Sequence, residues 1–221
     1  MTLNIGRSFI YMFQDERWIM KIVIGGVLVF IPIVNFIVLG YVLAVFKRVA
    51  DGTDVPLPEW DDFGGMFIAG LTLFVIGLIY EIPVMLFSFL HSGLHVVELL
   101  GVSGAGHGYN VMNIVRLLDY CTSCSSVVWA ILVVLVVPAA LIRYAVTGHF
   151  VSAFQFGDIF SFISGNIANY VVALILAWVT IFVAYLGLVG LCVGVVFTMF
   201  WYYLVVAHLL GQVQRESLAV T

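Results

Sequence analysis

The chain is 221 residues long, 64% hydrophobic and only 9% charged, with a net charge of −4, and its mean hydropathy is +1.20. A soluble globule carries about 25% charged residues, so this composition points to an all-α polytopic membrane bundle and not to a water-soluble domain. Eight dispersed bases make no basic stripe for a phosphate backbone, so nucleic acid is not an expected partner, and three cysteines are too few and odd in number for a disulfide framework.

Residues 3–20 mix aromatics with Arg7, Asp15, Glu16 and Arg17, a pattern too polar to span and suited to an interfacial amphipathic helix. The same charges rule out a cleavable signal peptide, so the first membrane segment is expected to serve as its own targeting signal. The first hydrophobic segment, 22–46, is long enough for one crossing, but Pro32 and Asn35 interrupt it. It therefore reads as one kinked span or as a broken, re-entrant hairpin. Residues 47–65 form a polar island holding five of the twelve acids, and its prolines and glycines forbid a continuous helix. Spans are expected over 66–90, 127–146, 170–188 and 190–210, with an extramembrane excursion over 91–126 that has some helix on either side of a flexible, glycine-rich centre at 101–108, and a turn near 187–190.

An internal duplication of span, loop and span emerges when the polar island is laid on residues 143–163. With an offset of 96, Lys47 falls on Arg143, Gly52 on Gly148, Val55 on Val151 and Asp62 on Asp158. Charge then separates the two readings of 22–46. A single crossing leaves four bases on each side. A hairpin that dips in and returns puts Arg7, Arg17, Lys21, Lys47, Arg48, Arg143 and Arg215 on one side and Arg116 alone opposite. That asymmetry is the one that orients membrane proteins, so the hairpin is favoured, with both termini and both loops cytoplasmic.

The residues Ile31-Pro32, Gly40-Tyr41, Lys47-Arg48, Gly52, the run Leu57-Pro58-Glu59-Trp60-Asp61-Asp62-Phe63, Phe67 and Gly70 resemble the signature of the domain of unknown function 4013 family of prokaryotic multi-pass membrane proteins. Tyr144, Gly148-His149-Phe150, Ala153-Phe154 and Asp158-Ile159 are similar to that family's second-half motif. The resemblance covers roughly residues 21–211. It implies a helical protein of the prokaryotic inner membrane and supplies no activity.

The candidate chemistry is sparse. Asp51, Asp54, Glu59, Asp61 and Asp62 could bind a divalent cation or a basic surface, but carboxylates where a span begins more often cap its free N–H groups, and Asp158 is expected to do the same. Glu81 is the one acid well inside an expected span and is costly there unless paired; Asn35, Asn166 and Asn169 are its candidate polar partners. His91 and His95 share a helix face, and with Cys121 and Cys124 they could make a tetrahedral zinc site. His208 could ligate a haem or pigment, though a histidine beside Trp201, Tyr202 and Tyr203 is more often interfacial. The 33 aromatics suit lipid, quinone or pigment contacts without requiring a cofactor. These readings lead to a non-enzymatic accessory, scaffolding or assembly subunit of a larger membrane complex, with other membrane proteins and lipids as partners. The alternatives are a small transporter or lipid-handling protein using Glu81, and pigment, haem or metal binding through His91, His95 or His208.

Overall fold

The computed structural model of the chain describes residues 3–53, 55, 57–99, 108–187 and 193–220. Asp54, residues 101–107 of the glycine-rich centre and the expected turn at 188–190 lie outside them. Among the described residues every regular element is helical: α1 (Ile5–Ile10), α2 (Trp18–Val29), α3 (Asn35–Ala50), α4 (Phe63–Leu99), α5 (Gly108–Thr147), α6 (Phe156–Gly165), α7 (Ile167–Leu186) and α8 (Val193–Val220), with 3-10 turns at Tyr11–Gln14 and Phe150–Phe154. Four of them, in α4, α5, α7 and α8, are long and apolar enough to cross a membrane. The chain is an all-α polytopic membrane protein. It divides into two compact units, Met1–Ile76 with Pro138–Thr221, and Gly77–Val137.

In the first unit α8 is the central element, and α1, α2, α3 and α7 all pack on it. The order of these contacts fixes the course of the first hydrophobic segment. Gly25 lies against the Phe200 ring and Gly26 against the Val196 backbone, so α2 runs toward the N-terminal end of α8. Tyr41 returns to the level of Phe200, with ring centroids 5.8 Å apart, and Val49 reaches Gly211, so α3 runs back toward the C-terminal end. The segment is thus broken into two antiparallel arms. At 12 and 16 residues the arms are about 18 and 24 Å long, each short of the roughly 30 Å core. Proline starts the turn, and Ile33 closes it at φ +70°, a left-handed conformation that a β-branched residue rarely adopts.

The segment 3–20 departs from the single interfacial helix expected. It is a short helix, a 3-10 turn and a bend, with Ser8, Tyr11 and Met12 fully buried. The reason lies in two sets of polar contacts. The Asp15 carboxylate accepts the Arg17 N–H at 2.9 Å and turns the chain. The segment also bonds α8: the Tyr11 hydroxyl donates to the Leu204 carbonyl at 3.2 Å and the Asn4 backbone N–H to Gln212 Oε1 at 2.7 Å.

Both helices that precede the duplicated loops end on a left-handed glycine, five residues after the basic residue. Gly52 has φ +90° and Gly148 φ +71°. At the first, the Gly52 and Thr53 N–H groups bond the Val49 and Arg48 carbonyls at 3.0 and 2.7 Å; at the second, the Gly148 N–H bonds the Tyr144 carbonyl at 2.8 Å. These are the two common glycine terminations, which satisfy carbonyls left over at a helix end.

In the second unit the described parts of the 91–126 excursion are helical on both sides of its glycine-rich centre, and each continues the adjoining span. α4 runs unbroken from Phe63 through Pro83 to Leu99, and α5 from Gly108 through Pro138 to Thr147. The two helices are joined within this unit by the Trp129 indole N–H, which donates to the Tyr80 carbonyl at 3.1 Å.

Candidate functional site

The polar island is held by a buried lysine. Lys21 and Asp15, each with a side chain 3% exposed, pair at 2.9 Å. Lys21 also donates to the Leu57 carbonyl at 2.8 Å, while the Leu57 N–H donates to Asp15 at 2.8 Å. Glu59 pairs with Lys21 at 2.8 Å and with Arg17 at 3.0 Å. Burial works to raise the Asp15 pKa, but the Lys21 hydrogen bond, the Arg17 and Leu57 N–H groups and the lysine charge outweigh it and hold the carboxyl below its ordinary value. Above this knot the Trp60 ring stacks on Tyr41 with centroids 4.0 Å apart and donates its indole N–H to the Lys21 carbonyl at 3.3 Å, and the Tyr41 hydroxyl donates to the Pro58 carbonyl at 2.9 Å.

Among the described residues the remaining acids of the island do not converge. Asp62 caps α4 by accepting the Gly65 N–H at 2.8 Å, Asp51 is the C-cap of α3, and Asp61 is exposed. Asp158 differs from Asp62, its duplicate. It lies inside the first turn of α6, where no side chain caps, and its carboxylate pairs with Arg143 across the second loop. The duplication thus preserves the basic residue, the glycine and the acid while their geometry diverges.

In the second unit, His95, Glu98 and Asp119 bring ligand atoms within 4.8 Å of one another. His91 Nδ1 stands 2.8 Å from Asp119 Oδ1, and Glu98 pairs with Arg116 at 2.8 Å. Cys121 and Cys124 are free and exposed, and among the described residues no group of three or more close ligand atoms includes them. This close group thus takes His95 from the four residues picked out by the sequence and adds Glu98 and Asp119.

A family model described as "Protein of unknown function (DUF4013)" matches residues 24–193. The chain belongs to the DUF4013 family. No curated protein and no solved structure matches it. The residues that carry the resemblance have structural work in this DUF4013 protein. A Cβ on Gly40 would stand 1.9 Å from the Met66 carbonyl oxygen, and one on Gly70 would stand 1.8 Å from that of Phe36, so the two glycines let α3 and the start of α4 cross in backbone contact. Phe67 sets its ring on Phe36 with centroids 5.8 Å apart.

The other candidates occupy separate places. Glu81 is half-buried in the second unit, whereas Asn35 belongs to the first, where its Oδ1 is shielded with no hydrogen-bond partner. Asn166 donates to the Phe162 carbonyl and Asn169 to Glu216, so both have local partners. His208 is fully buried. Its Nδ1 meets the Ser8 hydroxyl at 2.9 Å and the Gln212 amide at 2.8 Å, and its ring lies on Tyr11 with centroids 4.2 Å apart. Elsewhere in this unit an apolar groove of about 470 Å³ runs between Phe13, Trp18, Ile22, Val23, Phe197 and Trp201.

Proposed function

We propose that this DUF4013 protein is a non-enzymatic accessory or scaffolding subunit that docks another membrane protein along the hairpin of α4 and α5. The carrying observation is how little of these helices the chain itself covers. Only 11% of the most apolar window of α4 and 28% of that of α5 is buried, against 44% in α8. At 37 and 40 residues both helices also far exceed the roughly 20 residues a crossing requires, so part of each offers a surface beyond the lipid core. The exposed row Ile82, Met85, Leu86 and Phe89 supplies the apolar contact. The end of the first unit that gathers seven of the eight bases faces the cytoplasm of a prokaryotic cell by the positive-inside bias. Extraction of native membranes in mild detergent tests the reading. The protein should migrate in a complex larger than itself, and Met85→Ser with Phe89→Ser should reduce that complex to the single chain. Migration of the wild type as a monomer alone would remove the proposal.

A second reading, a small transporter or lipid-handling protein, draws on Glu81, for which the described residues offer no hydrogen bond or ion pair. Flux or lipid transfer in reconstituted vesicles, lost in Glu81→Gln, would favour it over the docking role. Zero activity in both proteins would dismiss it.

A further inference from the structure

We infer that the second unit holds a divalent transition-metal site made by His95 and Glu98 of α4 and Asp119 of α5, with His91 orienting the Asp119 carboxylate. His91, His95 and Glu98 recur at four- and three-residue steps, which puts all three on one face of α4. Asp119 approaches that face from α5. The ligand atoms of His95, Glu98 and Asp119 lie within 4.8 Å of one another; an ion about 2.1 Å from each donor holds its donors roughly 3–3.5 Å apart, so binding would draw these side chains together by small rotations.

The second observation is Asp119 itself. It is only 9% exposed, and its Oδ1 is shielded from solvent without a hydrogen bond, as is His91 Nδ1. The two atoms stand 2.8 Å apart but are not aligned for a hydrogen bond. A shielded carboxylate whose nearest neighbour is an imidazole that gives it no aligned hydrogen bond would gain from a cation, since burying a carboxylate is costly unless it is well paired. Glu98 spends one oxygen on Arg116 at 2.8 Å, and its second oxygen remains for the metal. One imidazole and two carboxylates favour zinc, manganese, iron or nickel over the thiolate-selected metals. His91, 2.8 Å from Asp119 Oδ1, would align its hydrogen bond once a metal fixes the carboxylate, and so take the outer part that commonly holds a ligating group in place. The bound ion joins α4 to α5 across the residues that connect them.

Zn²⁺ titration of the full chain in detergent micelles, after chelator treatment, reads the site directly by calorimetry and metal analysis. One equivalent should bind. His95→Ala and Asp119→Asn should each weaken binding by at least roughly 10- to 100-fold, and His91→Ala by about 10-fold at unchanged stoichiometry. The double variant Cys121→Ser, Cys124→Ser should bind as the wild type does. Should His95→Ala lose its helical circular dichroism, Glu98→Gln gives the same test from a half-exposed position. The Co²⁺-loaded wild type provides a readout independent of any variant: visible d–d bands without thiolate charge-transfer absorption are expected. Absence of saturable Zn²⁺ binding, binding indifferent to His95 and Asp119, or thiolate bands in the Co²⁺ spectrum would each overturn the assignment.

Discussion

Lys21 shows how a single residue can be placed correctly by sequence for one purpose and missed for another. As a charge it counts toward the basic side of the membrane, and the structure does set it at that end. Its burial against Asp15, Leu57 and Glu59 could not be read, because Leu57 lies 36 residues away and no periodicity links the two. Removing one partner of a buried pair leaves the other charge uncompensated, so Lys21→Ala should destabilise the protein by about 3–5 kcal/mol. Glu59→Gln, at a side chain 43% exposed, should cost below about 1 kcal/mol. Unfolding in micelles, followed by loss of helical signal, compares the two. The depressed pKa of Asp15 adds a pH signature. A carboxyl whose folded value lies below its unfolded one stabilises the fold above the unfolded value and loses that contribution as pH falls through the folded value. The loss should therefore appear below the ordinary value of 3.8, and it should be absent in Asp15→Asn.

Among the elements, the break in the first hydrophobic segment was legible because Pro32 cannot continue a helix. That Ile33 takes the left-handed position was not, since sequence rules would assign it to glycine or asparagine. Ile33→Gly should accordingly stabilise the hairpin by about 1 kcal/mol, the penalty an L side chain pays there, and a raised thermal midpoint would register it. The crossing of α3 and α4 makes an opposite prediction. Gly70→Ala would press a methyl into the Phe36 carbonyl, whereas Gly64→Ala meets nothing within 4 Å. The first should lower the midpoint or abolish assembly, and the second should be neutral to stabilising in the same assay. The long helices were less legible. The polar residues of 91–126 read as an excursion with helix on either side of its glycine-rich centre; α4 continues into it as far as Leu99 and α5 begins at Gly108, and a one-dimensional pattern does not give the point at which either helix leaves the membrane. Glu98 follows His91 by two turns and could have been picked out by that spacing. Asp119, on another helix past the residues joining them, could not.

At the scale of the molecule, the duplication and the charge count together anticipated the arrangement of the first unit. The Gly52 loop lies beside Arg215, Asn4 reaches Gln212, and Arg143, Asp158, Gln214 and Ser217 line one cavity. Both loops, the N-terminal segment and the end of α8 therefore share one end. Seven bases at one end of a membrane protein are an orienting signal, and the antiparallel arms of α2 and α3 are what bring them together. The paired loops are consistent with an ancestral repeat whose copies later diverged, one acquiring the buried Lys21 knot and the other the Arg143–Asp158 pair. Replacing the native cysteines by serine and placing single cysteines at Ile5 and Val55 tests this topology most directly, by labelling intact cells and inverted vesicles with a membrane-impermeant maleimide. Both positions should react from the same, cytoplasmic side; reaction of Ile5→Cys and Val55→Cys from opposite sides would make the first segment a single crossing and contradict the hairpin.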